Sequence, residues 1–155
     1  RRYIDLMAKH DIAMPAGFEA EKQRMGKLMK KLESLKVPKV SCHCDPLPEN
    51  FLDDGNKVFI IDWEYSGLND PMWDLGTYSC ECGFNDDQNN LFLNTYFGKE
   101  PTEEQRFRFI SYRVLCDFIW SMWGLYQGKT SGNADFDFAA YSNNRYQRYL
   151  SRASN

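Results

Sequence analysis

The chain has 155 residues, a net charge of −3 and 26% charged side chains. That length suits one core-bearing domain, read here as 1–155; the absence of a basic excess argues against nucleic acid as a partner. No apolar run approaches the roughly eighteen residues of a membrane span, and the opening Arg-Arg-Tyr-Ile-Asp lacks the apolar stretch of a signal peptide.

In chain order, residues 1–9 read as the end of a helix. Pro15 is placed as the first position of a second helix running to about Leu35, with Phe18, Met25, Leu28, Met29, Leu32 and Leu35 on its apolar face. Pro38 precedes a short strand at Lys39–Cys42, and His43–Asn50, with two prolines, reads as a rigid loop. Phe51–Asp53 and Lys57–Ile61 are expected to be strands joined by the hairpin turn Asp54-Gly55-Asn56. The continuous run Val58-Phe59-Ile60-Ile61 predicts a strand covered on both sides. A loop through Gly67 and Asn69 follows. Asp70-Pro71 then opens a helix as N-cap and first turn, and Asp86-Asp87 open another that ends near Gly98. Thr102-Glu103-Glu104-Gln105 is a capping box for a long, largely buried helix expected to stop at Gly128. Thr130–Ala134 is a polar loop, and a last helix is expected from Asp135 to about Leu150. The pattern is α+β and mostly α, with a small hairpin carrying acidic residues at its edge.

Rings make up 15% of the chain, with eleven Phe, nine Tyr and four Trp. That is more ring surface than a core of this size needs, and it points to ring-lined ligand contacts. Of the five cysteines, Cys42 and Cys44 form one C-x-C pair, Cys80 and Cys82 another, and Cys116 stands alone. Zinc sites favour C-x-x-C, so free thiols in a reducing cytoplasm are the commoner reading, with zinc a minor alternative.

The loop carries the chemistry. His43, Asp45 and Asn50 satisfy H-x-D-x-x-x-x-N, and Ile61-Asp62-Trp63-Glu64 follows the hairpin. Kinase-type phosphoryl transfer needs one carboxylate to take a hydroxyl proton, and an amide oxygen with a second carboxylate to hold magnesium on ATP. Asp45 is the candidate base, and Asn50 and Asp62 are the candidate Mg2+ ligands. An Asp62 carboxylate after a buried strand would need a partner, which a divalent ion on a triphosphate supplies. Glu64 either joins the ion's shell or is simply exposed. His43 is read as structural, fixing the loop. Leu52 and Ile61 could floor an adenine ring or be plain core. Asp45 as an ordinary solvated loop aspartate, and Asn50 as a turn former, are the competing readings of those residues. The helical body with an acidic hairpin matches a protein-kinase-like C-terminal lobe.

His43-Cys44-Asp45-Pro46-Leu47-Pro48-Glu49-Asn50-Phe51-Leu52 and Ile61-Asp62-Trp63-Glu64-Tyr65-Ser66-Gly67-Leu68-Asn69-Asp70-Pro71-Met72-Trp73-Asp74-Leu75 resemble the choline/ethanolamine kinase family, nearest its bacterial LicA-type members. Generic kinases carry Asp-Phe-Gly where this chain has Asp-Trp-Glu. The resemblance implies Asp45 as catalytic base, Asn50 and Asp62 as magnesium ligands with Glu64 assisting, and Asp74 as the anchor of the loop backbone. Residue by residue, Asp74 also reads as a first-turn Asp favoured by the helix dipole. Cys44 stands where asparagine is commoner in the family, with little consequence expected.

A quaternary ammonium donates no hydrogen bonds and is held by π faces and carboxylates. Trp120 and Trp123, at i and i+3, resemble the paired tryptophans of a choline pocket. Tyr141 falls where a further cage ring is expected, Glu81 is a candidate negative charge, and Phe84 and Tyr126 are unranked additions. Without the resemblance, core packing is the commoner fate of such rings. The resemblance implies ATP-dependent phosphorylation of choline to phosphocholine in the cytoplasm. The alternatives are ethanolamine, another small amino alcohol or an aminoglycoside as acceptor, and a catalytically incomplete choline-binding lobe. No Gly-rich loop or Val-Ala-x-Lys strand precedes the acidic loop, so the nucleotide lobe is expected to be absent from this chain and the piece alone to transfer phosphate poorly.

Overall fold

Prolines, caps and left-handed residues set the element boundaries. The computed structural model describes residues 2–153; Arg1, the first residue of the expected opening helix, and residues 154–155 lie outside them. The order is α1 (Arg2–Lys9), α2 (Phe18–Ser34), β1 (Val40–Cys42), a single 3-10 turn (Pro48–Asn50), β2 (Phe51–Asp53), β3 (Val58–Ile60), β4 (Gly67–Asn69), α3 (Pro71–Glu81), α4 (Asp86–Phe97), α5 (Glu103–Thr130) and α6 (Phe138–Ala153). The chain is α+β and mostly α. It divides into two compact units, one of residues up to Lys31 with those from Val114 onward, the other of Leu32–Arg113.

In the unit of residues 32–113, β1 pairs antiparallel with β4 (Val40↔Asn69, Ser41↔Leu68, Cys42↔Gly67), and β2 pairs antiparallel with β3 (Phe51↔Ile60, Leu52↔Phe59, Asp53↔Val58). The 67–69 segment, expected to be loop, is therefore a strand; three residues containing glycine give too little periodicity to be seen in sequence. The hairpin turn forms as expected, with Gly55 at φ +85° and the Asp54 carboxylate accepting from the Asn56 and Lys57 N–H groups at 2.8 and 3.0 Å. The expectation that Val58–Ile61 is covered on both sides fails, for these residues are 42–56% exposed. β2 and β3 form a ribbon of only two strands, and of its rings Phe51 packs on Tyr78 of α3, centroids 5.1 Å apart.

Asp70 caps α3 by accepting from Met72 N–H at 2.9 Å, and its carboxylate also takes a buried bidentate grip from Arg108 of α5, Nε–H···Oδ2 2.8 Å. The core of this unit is Met72, Leu75, Leu93 and Phe109, with Phe92, Phe97 and Tyr112 against it. At Gly76 a Cβ would lie 3.2 Å from the Phe109 carbonyl oxygen and the Arg113 nitrogen, so a side chain there would push α3 and the start of α5 a few tenths of an ångström apart. α4 starts at Asp86 as expected, behind a capping box between Asn85 and Gln88.

In the other unit, α2 starts at Phe18 and not at Pro15. Gly17 takes φ +76°, a left-handed backbone that no right-handed helix can include. Phe18 and Met25 are buried, whereas Met29, expected on the apolar face, is exposed. Phe18 stacks on Phe118 at 5.8 Å, and Phe118 meets the fully buried Tyr149 at 5.0 Å. α5 passes its expected stop at Gly128 and ends at Thr130, where Gly132 at φ +66° supplies the left-handed turn. α6 starts at Phe138, three residues later than expected, where the Asp137 side chain caps it by accepting from Ala140 N–H at 2.9 Å.

Candidate active site

The loop of residues 43–50 is clasped from α3. The Asp74 carboxylate accepts from His43 N–H at 2.7 Å and from Cys44 N–H at 2.9 Å. Trp73 closes the same clasp, donating from Nε1 to the Cys44 carbonyl at 2.9 Å. Sequence reasoning missed Trp73, although it sits beside Asp74 in the Asp-Pro-Met-Trp-Asp run; an indole one residue from an anchoring carboxylate was the available signal. Cys44 is held at φ +68°. L-residues enter this region at a cost of roughly 1–2 kcal/mol, with Asn among the few that tolerate it. That gives a physical reason for asparagine at this position, and it corrects the expectation that Cys44 is of little consequence.

His43 is buried, and its Nε2 lies 2.8 Å from the Ile61 carbonyl oxygen. A carbonyl only accepts, so Nε2 carries the hydrogen. The imidazole thus ties the loop to the end of the β2–β3 ribbon, and its ring packs on Trp63 at 4.7 Å. Asn50 is buried in the 3-10 turn and donates from Nδ2 to the Asp45 carbonyl at 3.2 Å; its amide oxygen is the atom left for a cation. Its backbone continues the ribbon, Ile61 N–H donating to Asn50 O at 3.0 Å.

Asp45 is half-buried, and its Oδ1 is buried without a hydrogen-bond partner. Burial first, then the charge of Glu81, then Asp62 and Glu64, push its carboxyl up to about 6, against a lowering by His43. The electrostatics therefore bring Asp45, Asp62, Glu64 and Glu81 into one acidic neighbourhood. Glu81, read from sequence as charge near an ammonium, is on α3 in this neighbourhood. Asp62 does not follow a buried strand; it is exposed and sits at φ +63°. The burial argument for its needing a partner fails, and the left-handed turn is what marks it instead. Glu64 is exposed too.

No group of three or more His, Cys, Asp and Glu among the described residues is arranged to hold a metal, which leaves the C-x-C zinc reading without a site. None of the five cysteines is in a disulfide, and burial pushes the Cys42 thiol up to about 12, so it stays protonated. Magnesium on a nucleotide needs less from the protein, one or two carboxylates with phosphate oxygens and waters completing its shell. An amide oxygen, exposed carboxylates and an unpaired buried Asp45 oxygen fit that ion.

Leu52 lies in register with Phe59, so by strand alternation Leu52, Phe59 and Ile61 share one ribbon face, opposite Phe51. Leu52 and Ile61 are 49% and 43% exposed. They are not core residues, and they present an apolar strip.

In the other unit, Trp120 and Trp123 meet edge-to-face on α5, centroids 5.5 Å apart at 82°. Trp123 meets Tyr141 of α6 at 5.6 Å and 74°, and Phe138 at 5.7 Å. All three predicted cage residues are partly exposed. Small residues make this contact: a Cβ at Gly124 would lie 3.0 Å from Tyr141 Cδ1, and Ser142 Oγ donates to the Ser121 carbonyl at 2.8 Å. Tyr126, left unranked, packs instead on Tyr3 and His10 at 6.4 and 5.6 Å. Phe84 packs with Tyr78 and Phe92 in the acidic unit.

Residues 3–114 match the family model described as choline/ethanolamine kinase. Protein LicA of Haemophilus influenzae is 34% identical over 88 residues, 53% of this chain and 33% of that protein. A crystal structure of a choline/ethanolamine kinase family protein from Mesorhizobium loti superposes with a TM-score of 0.91 at 38% identity, covering 99% of this chain and 52% of that one. LicA in complex with AMP gives 0.78 at 33% identity, covering 98% of this chain and 53% of that one. The chain thus spans about half the length of the solved structures it matches, and its lobe has the fold of a kinase C-terminal lobe. It belongs to the choline/ethanolamine kinase family.

Proposed function

We propose that this chain carries the catalytic-loop half of an ATP-dependent kinase that phosphorylates the hydroxyl of choline. The observation that supports it most is the clasped loop, in which Asp74 and His43 fix the two residues just before an under-bonded Asp45 and Asn50 bonds the Asp45 carbonyl from the other side. With its carboxyl raised only to about 6, Asp45 is ionised at neutral pH yet basic enough to accept the choline hydroxyl proton. The alkoxide oxygen bonds to the γ-phosphorus as the bond to the β-bridging oxygen breaks, and ADP leaves. Asn50 and Asp62, with Glu64 assisting, would hold a magnesium ion, which would supply charge neutralisation for the phosphoryl transfer. The exposed strip of Leu52 and Ile61 suits the adenine face. Trp120, Trp123 and Tyr141 suit the trimethylammonium, for which each ring is worth about 0.5–2 kcal/mol.

Ethanolamine is the second acceptor, favoured by the acidic neighbourhood of Glu81, because a primary ammonium takes charge-assisted hydrogen bonds that choline cannot. ATP-dependent phosphate transfer by the protein from its full reading frame, measured across choline, ethanolamine and an aminoglycoside, decides among them. A higher kcat/KM for choline, lost on Trp123→Ala, supports the proposal. Preference for ethanolamine that survives Trp123→Ala defeats the quaternary cage.

A further inference from the structure

The arginines of α6 offer a role that the kinase chemistry does not use. Asp117 of α5 is fully buried, and three guanidiniums converge on it. Arg145 and Arg148 reach Oδ1 at 3.2 and 3.1 Å, and Arg152 bonds Oδ2. Arg145 alone of the three is buried, and its Cζ lies 5.0 Å from the centroid of the Tyr141 ring. Spacing explains the pairing: Tyr141 and Arg145 are i and i+4 on α6, while Asp117, Trp120 and Gly124 step i, i+3, i+7 along α5, so one stripe on each helix holds the whole set. Tyr141 is thereby gripped by Trp123, by the close approach at Gly124 and by Arg145.

We propose that Arg145, anchored on Asp117, is a positioning residue for Tyr141 and so for the aromatic niche. This rests on the cage reading given under Proposed function. The carboxylate has Arg148 and Arg152 as counter-charges, so its compensation does not require Arg145; what Arg145 adds is the planar cation laid on the Tyr141 ring. That contact fixes the ring's orientation before a ligand arrives, which removes an ordering cost from binding.

The test compares Arg145→Met, Arg145→Lys and Arg148→Met in the protein from its full reading frame, with choline as the calorimetric probe and far-UV circular dichroism as the check of folding. Arg145→Met is expected to weaken choline binding about fivefold to tenfold, the scale of one cation–π contact. Arg145→Lys should recover part of that loss, and Arg148→Met should stay within about twofold of the parent. Near-UV circular dichroism should lose ring signal in Arg145→Met and keep it in Arg148→Met. An unchanged or tighter affinity in Arg145→Met, or an equal loss in Arg148→Met, overturns the proposal. If the parent protein takes up no choline, the cage reading fails. The near-UV comparison then decides the positioning claim alone, and equal ring signal in both variants overturns it.

Discussion

Replacing Asp74 by asparagine tests how the acidic loop is held. In the parent, one carboxylate receives two backbone N–H groups at 2.7 and 2.9 Å. Hydrogen bonds to a charged acceptor contribute about 1.5–3 kcal/mol each. Asparagine keeps one oxygen, now neutral, and turns an NH2 group toward a backbone N–H that has no other acceptor there. One bond weakens and one donor is orphaned, so the loss should be about 2–4 kcal/mol, or a fall of about 4–16 °C in Tm at this chain length. Asp74→Ala removes both acceptors and should cost at least as much. The left-handed Cys44 lies inside the clasp, so loop residues should lose amide protection before the helices do. Urea denaturation and hydrogen exchange read the two effects. An Asp74→Asn stability within about 0.5 kcal/mol of the parent, with loop protection intact, would refute the clasp as the device that shapes this site.

Two further outcomes follow from the same loop. Cys44→Asn should raise stability by about 0.5–1 kcal/mol in a melting experiment, because asparagine tolerates φ +68° better than cysteine; a loss would mean the thiol's packing outweighs the backbone strain. Asp45, raised from 3.8 to about 6, binds a proton in the folded state that the unfolded state has already released between those values. Its contribution to stability is therefore full below about pH 4 and is lost as pH rises through about 6. Denaturant midpoints across that range should fall with pH more steeply for the parent than for Asp45→Asn, and parallel profiles would show that Asp45 is not perturbed.

Much of this was legible from sequence because the signals are local. Asp70-Pro71 and Thr102–Gln105 place α3 and α5 through side chains that cap their own helix, the latter by mutual bonds of 2.7 and 3.2 Å. The H-x-D-x-x-x-x-N spacing likewise lies within one loop. What escaped depends on contacts distant in sequence or on backbone dihedrals. Val58–Ile61 reads as a buried strand because apolar runs usually are, yet exposure is decided by what else packs there, which hydropathy cannot carry. The left-handed residues Gly17 and Asp62 moved a helix start and reshaped the argument for a metal ligand. The Asp117–Arg145 pair joins α5 to α6 across 28 positions, and nothing in either local sequence announces it.

The central claim is that Asp45 is the base of a magnesium- and ATP-dependent choline phosphorylation. The most direct measurement is phosphocholine formation by the protein from its full reading frame, parent against Asp45→Asn, with choline affinity followed in parallel. The expected result is a fall in kcat of at least about a hundredfold, the lower bound for loss of a positioned general base, with choline affinity nearly unchanged. Turnover by Asp45→Asn within about threefold of the parent would contradict the account.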